Sequence, residues 1–352
     1  MYRKGNKMEF EIDKTDSIEN KVQQNRRHSL KMLFCADVQL GAICTENLNL
    51  KQSHKWQAAR NEKLADLMDQ AAQNNAAYVA LFGSIFGQER ISESIIDGLF
   101  DAVKEENNIQ VLTFLNAEEY KRISYRNDIP DNMHLFCTQV QDSYVDDNIA
   151  LRIDKGILEL QLADNDALII RKNDDEKYII SGMERTHVIP SFEPLGFEDA
   201  EGLASGYGVL DWEEESIGQF DFKANQKYTY QSIEIKILPE QDAKEIERKI
   251  INAVRKIDYD TFLRVTLTGR SAFGLTISGD ALENQLQNRV FFVEVYDNTL
   301  MDIDEEAFEN DISLRSEFVR LALQDDSLSE SERNRLISCG WNALNGKEVD
   351  AE

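Results

Sequence analysis

Histidine, cysteine and basic side chains are all scarce in this chain. Four histidines (His28, His54, His134 and His187) serve 352 residues, which leaves little imidazole for metal ligation. The four cysteines, Cys35, Cys44, Cys137 and Cys339, show no CxxC spacing, so neither a zinc ribbon nor a disulfide framework is expected. Cys35 and Cys137 fall in predicted strands, where a thiol reads as a small buried hydrophobe. A reducing cytoplasm fits this usage. Lysine and arginine total 39 against 65 acidic residues, a formal charge of -26. Nucleic-acid affinity comes largely from basic side chains that neutralise phosphates, so any DNA contact is expected to be indirect, through a partner. No apolar run approaches the ~18 to 20 residues of a membrane span. The first twenty residues have no apolar core, so they do not read as a secretory signal. Internal repeats and low-complexity tracts are absent too.

What is present is a sequence of alternating elements. Residues 1–30 read as a polar, flexible extension. Beyond them, apolar strands at Met32–Val38, Ala77–Phe82, Ile109–Leu115 and Met133–Cys137 alternate with amphipathic helices over Ser53–Asn75 and after Ser92. That pattern implies right-handed crossovers and a largely parallel sheet. Ligands gather at the carboxyl ends of strands in such sheets, where Asp37, Ser84 and Asn116 fall. Short strands at Ile149–Ile153, Ile157–Leu162, Ala167–Arg171 and Tyr178–Ser181 follow, separated by Asp/Asn/Gly turns. With Gly206–Trp212 and Tyr228–Ile237 they read as a second, more antiparallel sheet packed on the first. The expected division is residues 31–238, a small α/β unit over 239–300 and an acidic helical region over 301–352.

Asp37 and Gln39, in Leu33-Phe34-Cys35-Ala36-Asp37-Val38-Gln39-Leu40-Gly41, carry the strongest signal. A strand ends on a carboxylate, and two residues later, where a second metal ligand would sit, stands a glutamine. Gly83-Ser84-Ile85-Phe86-Gly87, Leu115-Asn116-Ala117-Glu118 and Gly182-Met183-Glu184-Arg185 follow in order. Together these segments resemble the calcineurin-like metallophosphoesterases, specifically the SbcD/YhaO-type DNA-repair exonucleases. Their motifs read Asp-x-His, Gly-Asp-x-Phe-Asp, Gly-Asn-His-Asp, a lone His and Gly-His-x-His. Further on, Ile189-Pro190 to Phe197 and Gly206-Tyr207-Gly208-Val209 resemble the family's Pro-Gly and Gly-Tyr segments. Leu263–Arg270 and Phe291-Phe292-Val293 resemble its capping domain, and Ser316–Arg320 its C-terminal helix.

The resemblance implies an α/β fold: a calcineurin-like sandwich of two β-sheets flanked by helices, a small α/β capping domain and a helical C-terminal tail. It also implies two metal ions, usually manganese, about 3.5–4 Å apart. The departures fall on the chemistry. Gln39, Ser84, Ala117, Met183 and Arg185 stand at degenerate positions, so no catalytic residue and no cofactor is expected. Asp37 and Asn116 remain as remnants of a metal set. Glu118, Glu184 and His187 are candidate substitutes, each with an alternative reading as a surface carboxylate or a packed imidazole. Other chemistry finds no motif. The loop 202–206 is no nucleophile elbow, and no Walker A lysine or GxGxxG follows a strand.

The leading expectation is therefore an inactive nuclease homologue that acts as a binding or scaffold subunit. Its partner, by the same resemblance, is an SbcC/YhaN-type coiled-coil ATPase held through C-terminal helices, with Leu314, Phe318 and Leu321 as the docking stripe. The alternatives are a divergent manganese-dependent exonuclease or phosphodiesterase, and a stand-alone structural or regulatory homodimer.

Overall fold

A computed structural model describes residues 30–88, 90–162, 165–201, 205–213, 216–275, 277–309 and 311–346. The expected extension over residues 1–30 lies, but for its last residue, outside them, as does most of the loop 202–206. The described chain separates into two compact units. One is built from residues 30–47 and 53–226, the other from residues 48–52 and 227–346.

The first unit opens with β1 (Leu30–Ala36), α1 (Leu50–Gln73, of which it holds Ser53 onward), β2 (Tyr78–Phe82), α2 (Glu93–Glu105), β3 (Gln110–Leu115), α3 (Ala117–Ile123) and β4 (Met133–Cys137). β1 to β4 are adjacent and parallel, with Met32 opposite Tyr78 and Ala80 opposite Leu112. Then come β5 (Asp142–Val145), β6 (Ile149–Asp154), β7 (Ile157–Leu162), β8 (Leu168–Lys172), β9 (Tyr178–Ser181) and β10 (His187–Val188). These form an antiparallel sheet of six strands in sequence order. After α4 (Phe197–Ala200), β11 (Gly206–Glu213) and β12 (Ser216–Ala224) return to the first sheet, with β11 antiparallel to β1. Gly206–Trp212 was expected in the second sheet. Its alternation marks one buried face but does not say which partner strand it takes.

Two cores follow from the two faces of the first sheet. Leu33, Cys35, Val79, Leu81 and Val111 pack under Leu64, Leu67 and Met68 of α1 and Leu99, Phe100 and Val103 of α2. On the opposite face, Met32, Phe34, Phe82 and Phe114 pack against Leu158, Leu160, Ile170 and Ile180 of the second sheet. Each fully buried side chain of this size contributes roughly 1.5–3 kcal/mol. Among the described residues the helices cover one side of this sandwich. The outer face of the second sheet stays exposed at Ile157, Glu159 and Gln161, so β7 alternates strictly.

A polar knot ties the two sheets at the amino end of β2. Tyr78 of β2 donates its hydroxyl to Asp146 Oδ2 at 2.7 Å, and Tyr144 of β5 donates to the same oxygen at 2.9 Å. Asp146 Oδ1 accepts from the Asn148 and Ile149 amides. One carboxylate thus satisfies groups from both sheets and the turn between β5 and β6.

The second unit contains β13 (Thr229–Ile237), α5 (Ala243–Val254), β14 (Thr261–Ala272), α6 (Gly279–Leu286), β15 (Phe292–Asp297), β16 (Leu300–Asp302), α7 (Glu305–Glu309), α8 (Leu314–Leu323) and α9 (Glu330–Leu344). β13 pairs in parallel with β14 along all of its length. The expected boundary after residue 238 is therefore corrected to the stretch before β13. Pro239 ends a strand; it does not divide domains. Ile246, Ile250 and Val254 form a stripe of α5 that is buried on this sheet. Beyond β14 the chain turns at Phe273 and Gly274, and Ser278 caps α6.

The tail over 301–352 was expected as a separate region, yet β16 extends the sheet alongside β14. The Asn334 side chain of α9 bonds both the amide and the carbonyl of Met301. The aromatic group Phe273, Phe308 and Trp341 joins the two stretches. No described helix is long and apolar enough to cross a membrane.

Asp146→Ala removes the acceptor shared by two tyrosines and two amides. The expected loss is about 2 kcal/mol, read as a lower urea midpoint with unchanged slope.

Candidate functional site

The carboxyl ends of β1, β2 and β3 bring Asp37, Ser84 and Asn116 to one edge of the first sheet, as their strand positions foresaw. The turns after β1 and β2 are laced together. Asp37 N–H donates to Phe82 O at 2.9 Å, Gln39 N–H to Ser84 O at 3.0 Å and Leu40 N–H to Ile85 O at 2.8 Å. This lacing holds Asp37 and Gln39 at φ of 50° and 49°, which is unusual for residues other than glycine. Gly83 has φ +74°, and a Cβ there would lie 2.2 Å from Asp37 Oδ1. Only glycine permits this approach.

The residues expected as remnants of a metal set are already engaged in hydrogen bonds. Asp37 Oδ1 accepts from Ser84 N–H at 3.1 Å. Asn116 caps α3, its Oδ1 accepting from the Glu118 and Glu119 amides at 2.9 Å each. Gln39 is held by Arg60, which donates Nε to its carbonyl at 3.1 Å and a terminal nitrogen to its Oε1 at 3.4 Å. The loop amides that Asp37 does not reach turn to Glu119. Its Oε1 accepts from Ile85 N–H at 2.9 Å and Phe86 N–H at 3.0 Å, and its Oε2 from Asn116 Nδ2 at 3.0 Å.

The candidate substitutes are dispersed. Glu118 is exposed in the first turn of α3 and pairs with Lys121 at 3.6 Å. Ala117 begins that helix. Met183 packs on the sandwich core, while Glu184 and Arg185 are exposed in the turn after β9. His187 lies on β10, its ring 5.2 Å from Phe220. Among the described residues no group of three or more His, Cys, Asp or Glu side chains is disposed to hold a metal ion.

Electrostatics mark the two inner carboxylates. Burial pushes the Asp37 carboxyl above its usual range, against the Ser84 amide and the charges of Lys172 and Arg60. Burial likewise raises Glu119, and the Asp37 charge adds to it. Lys172, at the end of β8, donates to Glu176 at 2.9 Å, which raises its own pKa.

Glu119, Arg60, Lys63 and Glu193 were not foreseen. Lys63 Nζ meets Glu193 Oε1 at 3.0 Å, with the two side chains 3% and 2% exposed. Burial depresses the Lys63 pKa, and Glu193 opposes that shift. Arg60 donates to the Glu193 and Pro194 carbonyls. The signal for α1 was available: Arg60 and Lys63 share the stripe of Trp56, Leu64 and Leu67. Asn116-x-x-Glu119 is a capping-box spacing.

At the tail, Leu314 and Leu321 are 73% and 61% exposed, and Ile312 beside them 98%. Phe318 turns inward, against Gly340, where a Cβ would lie 2.1 Å from its ring. The three residues of the expected stripe share a face of α8, but Phe318 is half-buried between two exposed leucines.

No protein-family model matches this chain, and no curated protein does either.

Two outcomes follow. A carboxyl raised by burial stabilises the fold at low pH and loses that contribution as pH rises through its folded value. Asp37→Asn keeps an acceptor oxygen without the charge. It should be the more stable protein at pH 7, with the gap closing toward the ordinary carboxyl value of 3.8, in melting curves taken across pH. Lys63→Ala should cost about 3–5 kcal/mol, because it strands a buried carboxylate. Lys63→Met with Glu193→Leu should recover most of that loss in the same denaturation assay.

Proposed function

We propose that the chain is an SbcD/YhaO-like member of the calcineurin-like phosphoesterases that has lost nuclease chemistry and serves as a binding or scaffold subunit. The supporting architecture is a parallel β1–β4 core that carries the candidate positions at its strand ends, faced by an antiparallel sheet. The observation that carries the loss is the state of the donors. Asp37 Oδ1 holds the Ser84 amide, Asn116 Oδ1 caps α3, and the Gln39 side chain meets Arg60. Positions 84 and 87 offer a hydroxyl and a glycine where the resembled motif has carboxylates. A two-metal centre needs several hard ligands and a bridging carboxylate, and these residues do not fit one.

The partner in this reading is a coiled-coil ATPase of the SbcC/YhaN type. The stripe Leu314, Phe318 and Leu321 of α8, exposed at its two ends, is its docking surface, as anchors for a helix in a groove. The net charge of -26 leaves DNA contact to that partner.

Metal content and manganese-dependent nuclease activity of the purified chain test this, with Asp37→Ala and Asn116→Ala beside it. The expected result is no stoichiometric manganese and no cleavage in any of the three. Near-stoichiometric manganese, with cleavage abolished in both variants, would make the protein a divergent exonuclease instead.

A further inference from the structure

Glu119 is 6% exposed and lies on α3, facing the loop after β2. Its Oε1 is the common target of two consecutive backbone N–H groups, Ile85 at 2.9 Å and Phe86 at 3.0 Å. Its Oε2 receives the Asn116 side-chain amide at 3.0 Å. No Lys, Arg or His among the described residues forms an ion pair with it. The residues bearing the two amides are themselves sealed in, Ile85 at 0% and Phe86 at 5% exposure. Glu119 is thus the acceptor that the fold supplies to them, and an unpartnered buried amide is costly. Successive backbone N–H groups converging on one anionic oxygen are how proteins hold small oxyanions.

We propose that the Ile85 and Phe86 amides, with Asn116 Nδ2, form an oxyanion-binding site that the protein fills with its own Glu119 carboxylate. The site is thus closed by an intramolecular ligand, and the class it accepts is a small carboxylate. Asp37 is a different case, since it takes a single amide, Ser84. The proposal rests on these bonds alone and holds whether or not the scaffold reading does.

The pair Glu119→Ala and Glu119→Gln, melted beside the unaltered protein in formate and in sodium chloride of matched ionic strength, tests it. Truncation to alanine opens space for the lost carboxylate and leaves its donors bare. The expected drop in melting temperature is about 5 °C. Formate should restore it in a saturable way that chloride does not reproduce. Glutamine keeps an amide oxygen in place, so that variant should melt between the other two and ignore formate. Should the alanine variant not fold in plain buffer, its refolding yield in formate becomes the readout, and folding only with formate supports the site. The proposal is overturned if alanine melts like the unaltered protein, if formate acts no differently from chloride, or if no formate concentration gives folded alanine variant. Nuclease activity enters none of these outcomes, so a failure here stays separate from a failure of the functional reading.

Discussion

Three consecutive backbone N–H groups, at Ser84, Ile85 and Phe86, must find acceptors where the chain leaves β2 and dives under the helix layer. Their partners are carboxylates: Asp37 for the first, Glu119 for the other two. Much of the local structure is a consequence. Gly83 is required because any side chain would strike the Asp37 oxygen. Asn116 serves both ends of the arrangement, capping α3 with its oxygen and steadying Glu119 with its nitrogen. The left-handed turns at Asp37 and Gln39 persist because the laced backbone over-determines them.

Elsewhere the same logic recurs with different groups. The Lys63–Glu193 pair is desolvated on both sides, and Arg60 stitches the loop at Gln39 to the backbone of Glu193 and Pro194. The Tyr78–Asp146–Tyr144 knot fastens the sandwich at the amino end of β2, while the carboxylate–amide bonds fasten its carboxyl end. Among the described residues the acidic side chains are mostly exposed. Among them the buried carboxylates Glu119 and Glu193 each meet donors, two backbone amides for the first and Lys63 for the second.

The parallel core was legible because β1 to β3 are continuous apolar runs, buried on both faces, separated by helical spacing. The meander β6 to β9 was legible because one face is open and the alternation is clean. Placing β11 and β13 failed for one reason: period-two burial reveals a buried face and nothing about the neighbour across the hydrogen bonds. Asp37, Ser84 and Asn116 were placed correctly because strand ends are set by the strands. Glu118 and Glu184 were weighed as ligands by type, yet both point to solvent on the first turn of a helix and on a reverse turn. Glu119, one residue from Glu118, sits inside. That distinction depends on helix phase, which seven residues of α3 are too short to reveal from pattern alone.

The way Gly83 and Asp37 fit together also limits what position 84 can carry. A carboxylate there would enter beside Asp37, within one three-residue stretch that Glu119 already serves. Burial already raises both existing carboxyls, and the Asp37 charge adds to the shift at Glu119. A third acid would deepen that repulsion unless a cation came with it. Position 84 is thus a gate on charge: an acid and its counter-ion can enter together, but neither has a place alone.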